Sequence, residues 1–152
     1  MKIEDEIQTR KFYNERHKAT LNIVFTSNWI AGMLEKRAST HKITLQQYNI
    51  LRILRGQYPA PATNRLLKER MLDRTPDVSR IVDRLVSKGL VSKGRCTKDR
   101  RAVDVTITPK GLETLADLDE PMLMMDVLQE NITDAECQVL NSLLDKLRGY
   151  RN

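Results

Sequence analysis

The feature that most restricts the fold is a change of hydrophobic period at Gly89. Before it, Val78, Ile81, Val82, Leu85 and Val86 recur at helical spacing; after it, Val103, Val105 and Ile107 alternate with Asp104, Thr106 and Thr108. Thr75 as N-cap, Pro76 at the first helical position and Gly89 as a left-handed stop predict a helix over about 76–88. Its apolar stripe faces a core, and the opposite side carries Pro76, Arg80, Asp83 and Ser87, flanked by Ser79 and Arg84. Leu90 and Val91 open a strand that pairs with the alternating one. The polar, basic run Lys93-Gly94-Arg95-Cys96-Thr97-Lys98-Asp99-Arg100-Arg101 between them reads as a hairpin tip.

Charge points to the same region. The net charge is +6, but residues 65–101 carry 12 basic and 5 acidic groups, whereas residues 102–152 carry 4 and 10. A solvated surface would not concentrate charge so locally, which directs the search for phosphate contacts to the middle of the chain.

The flanks read as helical. No proline interrupts Glu4 to about Arg37, and the apolar residues of Ala19 to Leu34 fall on more than one helical face. Such a helix is covered on several sides, either by a second subunit or as the central core helix of a monomer. Thr44 with Gln47 has capping-box spacing and opens a helix lined by Leu45, Tyr48, Leu51 and Leu54, ending near Gly56. Pro59-Ala60-Pro61 marks a loop, and a shorter helix follows from about Thr63 to Met71. Thr108-Pro109 starts a helix reaching about Asn131, which Pro121 should kink or interrupt. A second capping box, Thr133 with Glu136, starts a last helix with Cys137, Leu140, Leu143, Leu144 and Leu147 in one stripe.

Two helices joined by a short turn, the second showing a polar face, match a helix-turn-helix whose second helix enters the major groove; the basic hairpin is then a wing. The run Thr75-Pro76-Asp77-Val78-Ser79-Arg80-Ile81-Val82-Asp83-Arg84-Leu85-Val86-Ser87-Lys88-Gly89-Leu90-Val91, then Asp99-Arg100-Arg101 and Thr106-Ile107-Thr108-Pro109-Lys110-Gly111, resembles the MarR family of bacterial regulators. The resemblance implies a mainly α fold with a small β-wing, in a single domain over 1–152. A winged helix-turn-helix lobe is expected at about 44–112, with dimerisation helices at about 4–37 and 113–150. It further implies a homodimer, held in part by Ile7, Leu140, Leu143, Leu144 and Leu147, that binds a pseudo-palindromic operator, usually as a repressor.

The resemblance and the helical wheel agree on Thr75, Asp77, Ser79, Arg80 and Arg84 as the groove-facing set. Arg80 is the preferred base reader, because a guanidinium grips O6 and N7 of guanine together. Thr75 and Ser79 suit phosphates or a single base edge. Asp77 either caps the helix N-terminus or accepts from a cytosine amino group. In the wing, the family pattern places Arg101 in the minor groove, held by Asp99, with Lys98 and Arg100 on phosphates. The alternative for the wing is a solvated tip.

Family members commonly answer to a small ligand or to cysteine oxidation. Trp29, Met33, Tyr48 and Met125 are the expected walls of a site for a small aromatic or amphipathic effector, the alternative for each being plain core. Oxidant-sensing relatives have a cysteine near the start of the first helix, and this chain has none there; Cys96, beside Arg95 and Lys98, is the remaining candidate. Cys96 and Cys137 lack the spacing of a metal site or a disulfide framework, and His17 and His41 have no ligand partner nearby. No metal or cofactor is therefore expected. No nucleophile, base and orienter set and no phosphate-cradling glycine loop is visible, which argues against an enzyme. The polar N-terminus and the lack of a long apolar run predict a cytoplasmic protein with no membrane partner. The rival to a sequence-specific regulator is a non-specific or architectural nucleic-acid binder.

Overall fold

The computed structural model describes residues 1–149. Its elements run α1 (Ile3–Glu6), α2 (Glu15–Ser39), α3 (Leu45–Gln57), β1 (Ala62–Thr63), α4 (Asn64–Arg70), α5 (Val78–Ser87), β2 (Val91–Arg95), β3 (Val103–Ile107), α6 (Pro109–Met122), α7 (Met125–Asn131) and α8 (Asp134–Leu147). The chain divides into two compact units, residues 1–116 and 117–152. Residue 150, where the expected C-terminal dimerisation stretch ends, lies outside the described residues.

The first unit has its core around α3, which lies against α2, α4, α5 and β3. Ile50, Leu51 and Leu54 of α3, Leu67 of α4, Val82 and Leu85 of α5 and Val105 of β3 are all fully buried. Each such side chain contributes roughly 1.5–3 kcal/mol of transfer free energy. The three strands form an antiparallel sheet in the order β1-β3-β2. In the hairpin Val91 pairs with Ile107 and Arg95 with Val103, which leaves residues 96–102 as its tip, shorter than the expected 93–101.

Local chemistry sets most element ends. Thr44 and Gln47 form the expected reciprocal capping box at α3, and Thr63 caps α4 by accepting from the Leu66 N–H. The proline-free start of the chain is nevertheless broken. Asn14 accepts from the His17 N–H and so starts α2 there, while Gln8 at φ 51° ends the short first helix. The two-residue β1 also differs from expectation, since the loop around Pro59 and Pro61 delivers Ala62 opposite Val105 and Thr63 opposite Asp104.

In the second unit Pro121 ends the regular run of α6 one residue later, and Met124 at φ 57° separates α6 from α7. Thr133 and Glu136 form the expected box at the start of α8, with the Thr133 N–H donating to Glu136 Oε2 at 2.9 Å. These bonds hold the Glu136 carboxyl below its ordinary pKa, the Thr133 backbone N–H first and its hydroxyl second. No residue of α8 is buried within the chain: Leu143 and Leu147 are 58% and 66% exposed, with Leu140 beside them and Leu144 half-buried.

Candidate nucleic-acid interface

The second helix of the helix-turn-helix starts two residues later than its sequence suggests. Pro76 is buried in the connection and does not open the helix or face outward; Asp77 is the N-cap, its Oδ1 accepting from the Arg80 N–H at 3.2 Å. Of the two roles open to Asp77, capping is the one seen. Val78, Ile81, Val82 and Leu85 face the core as expected, but Val86 is exposed at the stripe's edge. Gly89 adopts φ +71°, the left-handed stop that a side chain would strain.

Outside that stripe, Ser79, Arg80, Asp83 and Arg84 are exposed on α5, as are Thr75 and Asp77 ahead of it. Among the described residues the side chains of Arg80 and Arg84 make no hydrogen bond or ion pair, so both guanidiniums retain their donors for an outside acceptor. Not every cation of the basic segment is available. Lys93 of β2 pairs with Asp83 of α5, Arg65 pairs with Glu69, and Lys88 turns inward.

Sequence reasoning missed Asn64, the first residue of α4, whose Nδ2 donates to Ser79 Oγ at 3.2 Å and joins the two helices of the motif. A contact across 15 residues leaves no local signal, although the Thr63 cap announces where the helix begins.

At the wing tip the Cys96 N–H donates to the Ala102 carbonyl at 3.3 Å and the Ala102 N–H to the Asp99 carbonyl at 3.0 Å. Asp99 Oδ1 accepts from the backbone N–H of Arg101 at 2.9 Å, an Asx-type turn. Aspartate thus reaches Arg101 through the main chain, while Lys98, Arg100 and Arg101 extend exposed from the tip. Cys96 and Cys137 are both unpaired and half-buried.

The residues expected to hold an effector differ in exposure. Trp29 is 47% exposed and Met33 half-buried on α2, whereas Tyr48 is buried in α3. Met125 is exposed on α7, in the second unit. Of the expected dimer contacts, Ile7 is half-buried after α1 and the leucines line α8. No helix among the described residues is long and apolar enough to cross a membrane.

A model of the MarR family matches residues 43–103, the segment from the start of α3 to the start of β3. The chain is 30% identical to a MarR transcription factor from Planctomyces limnophilus, over 91% of this chain and 98% of that one, with a TM-score of 0.67. It is 27% identical to a cysteine-to-serine variant of E. coli MarR complexed with operator DNA, over 90% and 98% of the two chains, with a TM-score of 0.75. BpsR of Bordetella bronchiseptica, whose DNA binding is regulated by 6-hydroxynicotinic acid, shares the fold at 19% identity, over 86% and 98%, with a TM-score of 0.73. No curated protein matches the sequence. Family model, relative and winged fold agree: this chain belongs to the MarR family of transcription regulators.

Proposed function

We propose that this regulator binds a pseudo-palindromic operator as a homodimer, represses transcription there, and is released by a small aromatic or amphipathic ligand. The observation that carries the DNA-binding part is the unengaged pair Arg80 and Arg84 on the exposed face of α5, in one compact unit with the basic wing tip. Helix and wing suit two different grooves: Arg80 can reach base edges in the major groove, and Arg101 suits a narrow, strongly negative minor groove. The relative complexed with operator DNA supports the same reading.

Two further parts extend it. The exposed leucine face of α8, and Ile23, Val24, Phe25 and Trp29 exposed on α2, are apolar surfaces that a second copy would cover. Ligand release rests on Trp29, Met33 and Tyr48, and on BpsR as a regulator of this fold that answers to a small acid.

Selection of bound fragments from random DNA tests the reading. A shared half-site motif and a preference of about a thousandfold or more over random DNA are expected. Arg80→Ala should then cost about 1–3 kcal/mol on the selected operator and little on random DNA. Binding without preference, lost almost wholly on adding salt, would identify an architectural protein instead.

A further inference from the structure

Lys88 is one of the basic residues of segment 65–101, yet its side chain turns inward. It caps the C-terminus of α5, its N–H donating to the Arg84 carbonyl at 3.2 Å. Its ammonium donates to the Lys42 carbonyl and, at 3.1 Å, to Gln47 Oε1. Three helix ends meet at this nitrogen.

The first is the C-terminus of α2. Ile43 N–H donates to the Ala38 carbonyl at 3.5 Å and Lys42 N–H to the Ser39 carbonyl at 2.9 Å, with Lys42 at φ +58°. This is a Schellman closure with lysine where glycine is usual, and the carbonyl of that left-handed residue is the one Lys88 takes. The second is the N-terminus of α3, whose capping-box residue Gln47 is 3% exposed and is the buried polar side chain among the described residues. Gln47 Oε1 accepts from the Thr44 N–H at 3.1 Å and takes its second donor from Lys88. The third is α5 itself, where the Lys88 carbonyl accepts from the Lys110 ammonium at 3.0 Å and Thr108 Oγ1 donates to the Gly89 carbonyl at 2.7 Å. Glu35 of α2 joins the set by accepting from the Leu45 N–H at 2.7 Å. Helix C-termini carry partial negative charge, so a cation between those of α2 and α5 is favoured, and its bond completes the second acceptor site of a buried carbonyl.

We propose that Lys88 is a positioning residue for DNA recognition: it anchors the end of α5 on the corner between α2 and α3, and so sets the angle at which Arg80 and Arg84 meet the groove. This rests on the reading of α5 as the recognition helix. Arg80 lies eight residues, about 12 Å, along the helix from the anchor. A pivot of about 10° at Lys88 moves the Arg80 backbone by about 2 Å, enough to break a bidentate hydrogen bond.

The test uses the full chain with Lys88→Met, Gln47→Met and the double variant. Operator and random-DNA affinities are measured across a salt series, and amide exchange at Gly89 and Leu90 is followed without DNA. Each single variant should lose about tenfold on the operator and less than about twofold on random DNA, with the salt slope unchanged. The double variant should be no worse than the worse single one, and exchange at Gly89 and Leu90 should accelerate in all three. A loss of specificity well below the melting temperature separates positioning from mere stability. A salt slope lowered by about 0.9 in Lys88→Met, with Gln47→Met normal, would make Lys88 a phosphate contact and overturn the proposal. Faster exchange with unchanged operator affinity would overturn it too. If the parent chain does not distinguish operator from random DNA, the regulator reading falls and takes the recognition role with it; the exchange rates then show separately whether the anchor holds.

Discussion

Asp99 decides between two accounts of the wing. Its carboxylate takes the Arg101 backbone N–H, so it shapes the turn from which Arg101 projects, yet it also places a negative charge where phosphate would come. Asp99→Ala removes both effects and Asp99→Asn only the charge. If turn geometry dominates, alanine weakens operator binding and asparagine equals or exceeds the parent. If charge alone matters, both variants bind more tightly, and affinities of the pair over a salt series separate the cases. The same dual character made Asp77 ambiguous in the sequence, where capping and base contact were both open. The cap follows from the start of α5: once Pro76 is buried, the next residue is the one placed to cap.

Among elements, two starts that depend on neighbours in sequence were legible, although the equally local caps Asn14 of α2 and Asp77 of α5 were not read as helix starts. Thr44 with Gln47 and Thr133 with Glu136 are capping boxes because their partners lie three residues apart. Those fixed by distant partners were not legible: β1 exists only through its pairing with β3, and Asn64 meets Ser79 only once the motif has folded. The packing of α6 on the hairpin is another such case. A Cβ added to Gly111 would stand 2.3 Å from the Leu90 carbonyl oxygen and 2.7 Å from Ile107 Cγ1, so the glycine permits a backbone approach that no side chain allows. Gly111→Ala should therefore lower stability by about 1–3 kcal/mol despite alanine's better helix propensity, as read by denaturant midpoint. At α8 the depressed Glu136 carboxyl predicts an acid effect. Its capping contribution is complete above the unfolded-state value and is lost as pH falls through the lower folded one. The Thr133 amide, which donates to the Glu136 carboxylate, should thus lose protection relative to its intrinsic exchange rate on acidification in the parent, and show less dependence on pH in Glu136→Gln.

At the scale of the whole molecule, the apolar surface left open on α8 and on α2 sets the expected oligomeric state. Light scattering at micromolar concentration should give about twice the 17.6 kDa chain mass, and Leu143→Glu with Leu147→Glu should halve it. A folded parent monomer at that concentration would remove the dimer from the proposed function. The small sheet presents the opposite problem, because a three-stranded sheet ends in two unpaired edges that invite another strand. One edge, β1, is only two residues long; the other, β2, runs Ser92-Lys93-Gly94-Arg95 in exposed positions. An incoming strand would have to bury two cations beside its own backbone, so charge there also discourages edge-to-edge aggregation. The wing can thus remain exposed for a nucleic acid without becoming a template for fibrils.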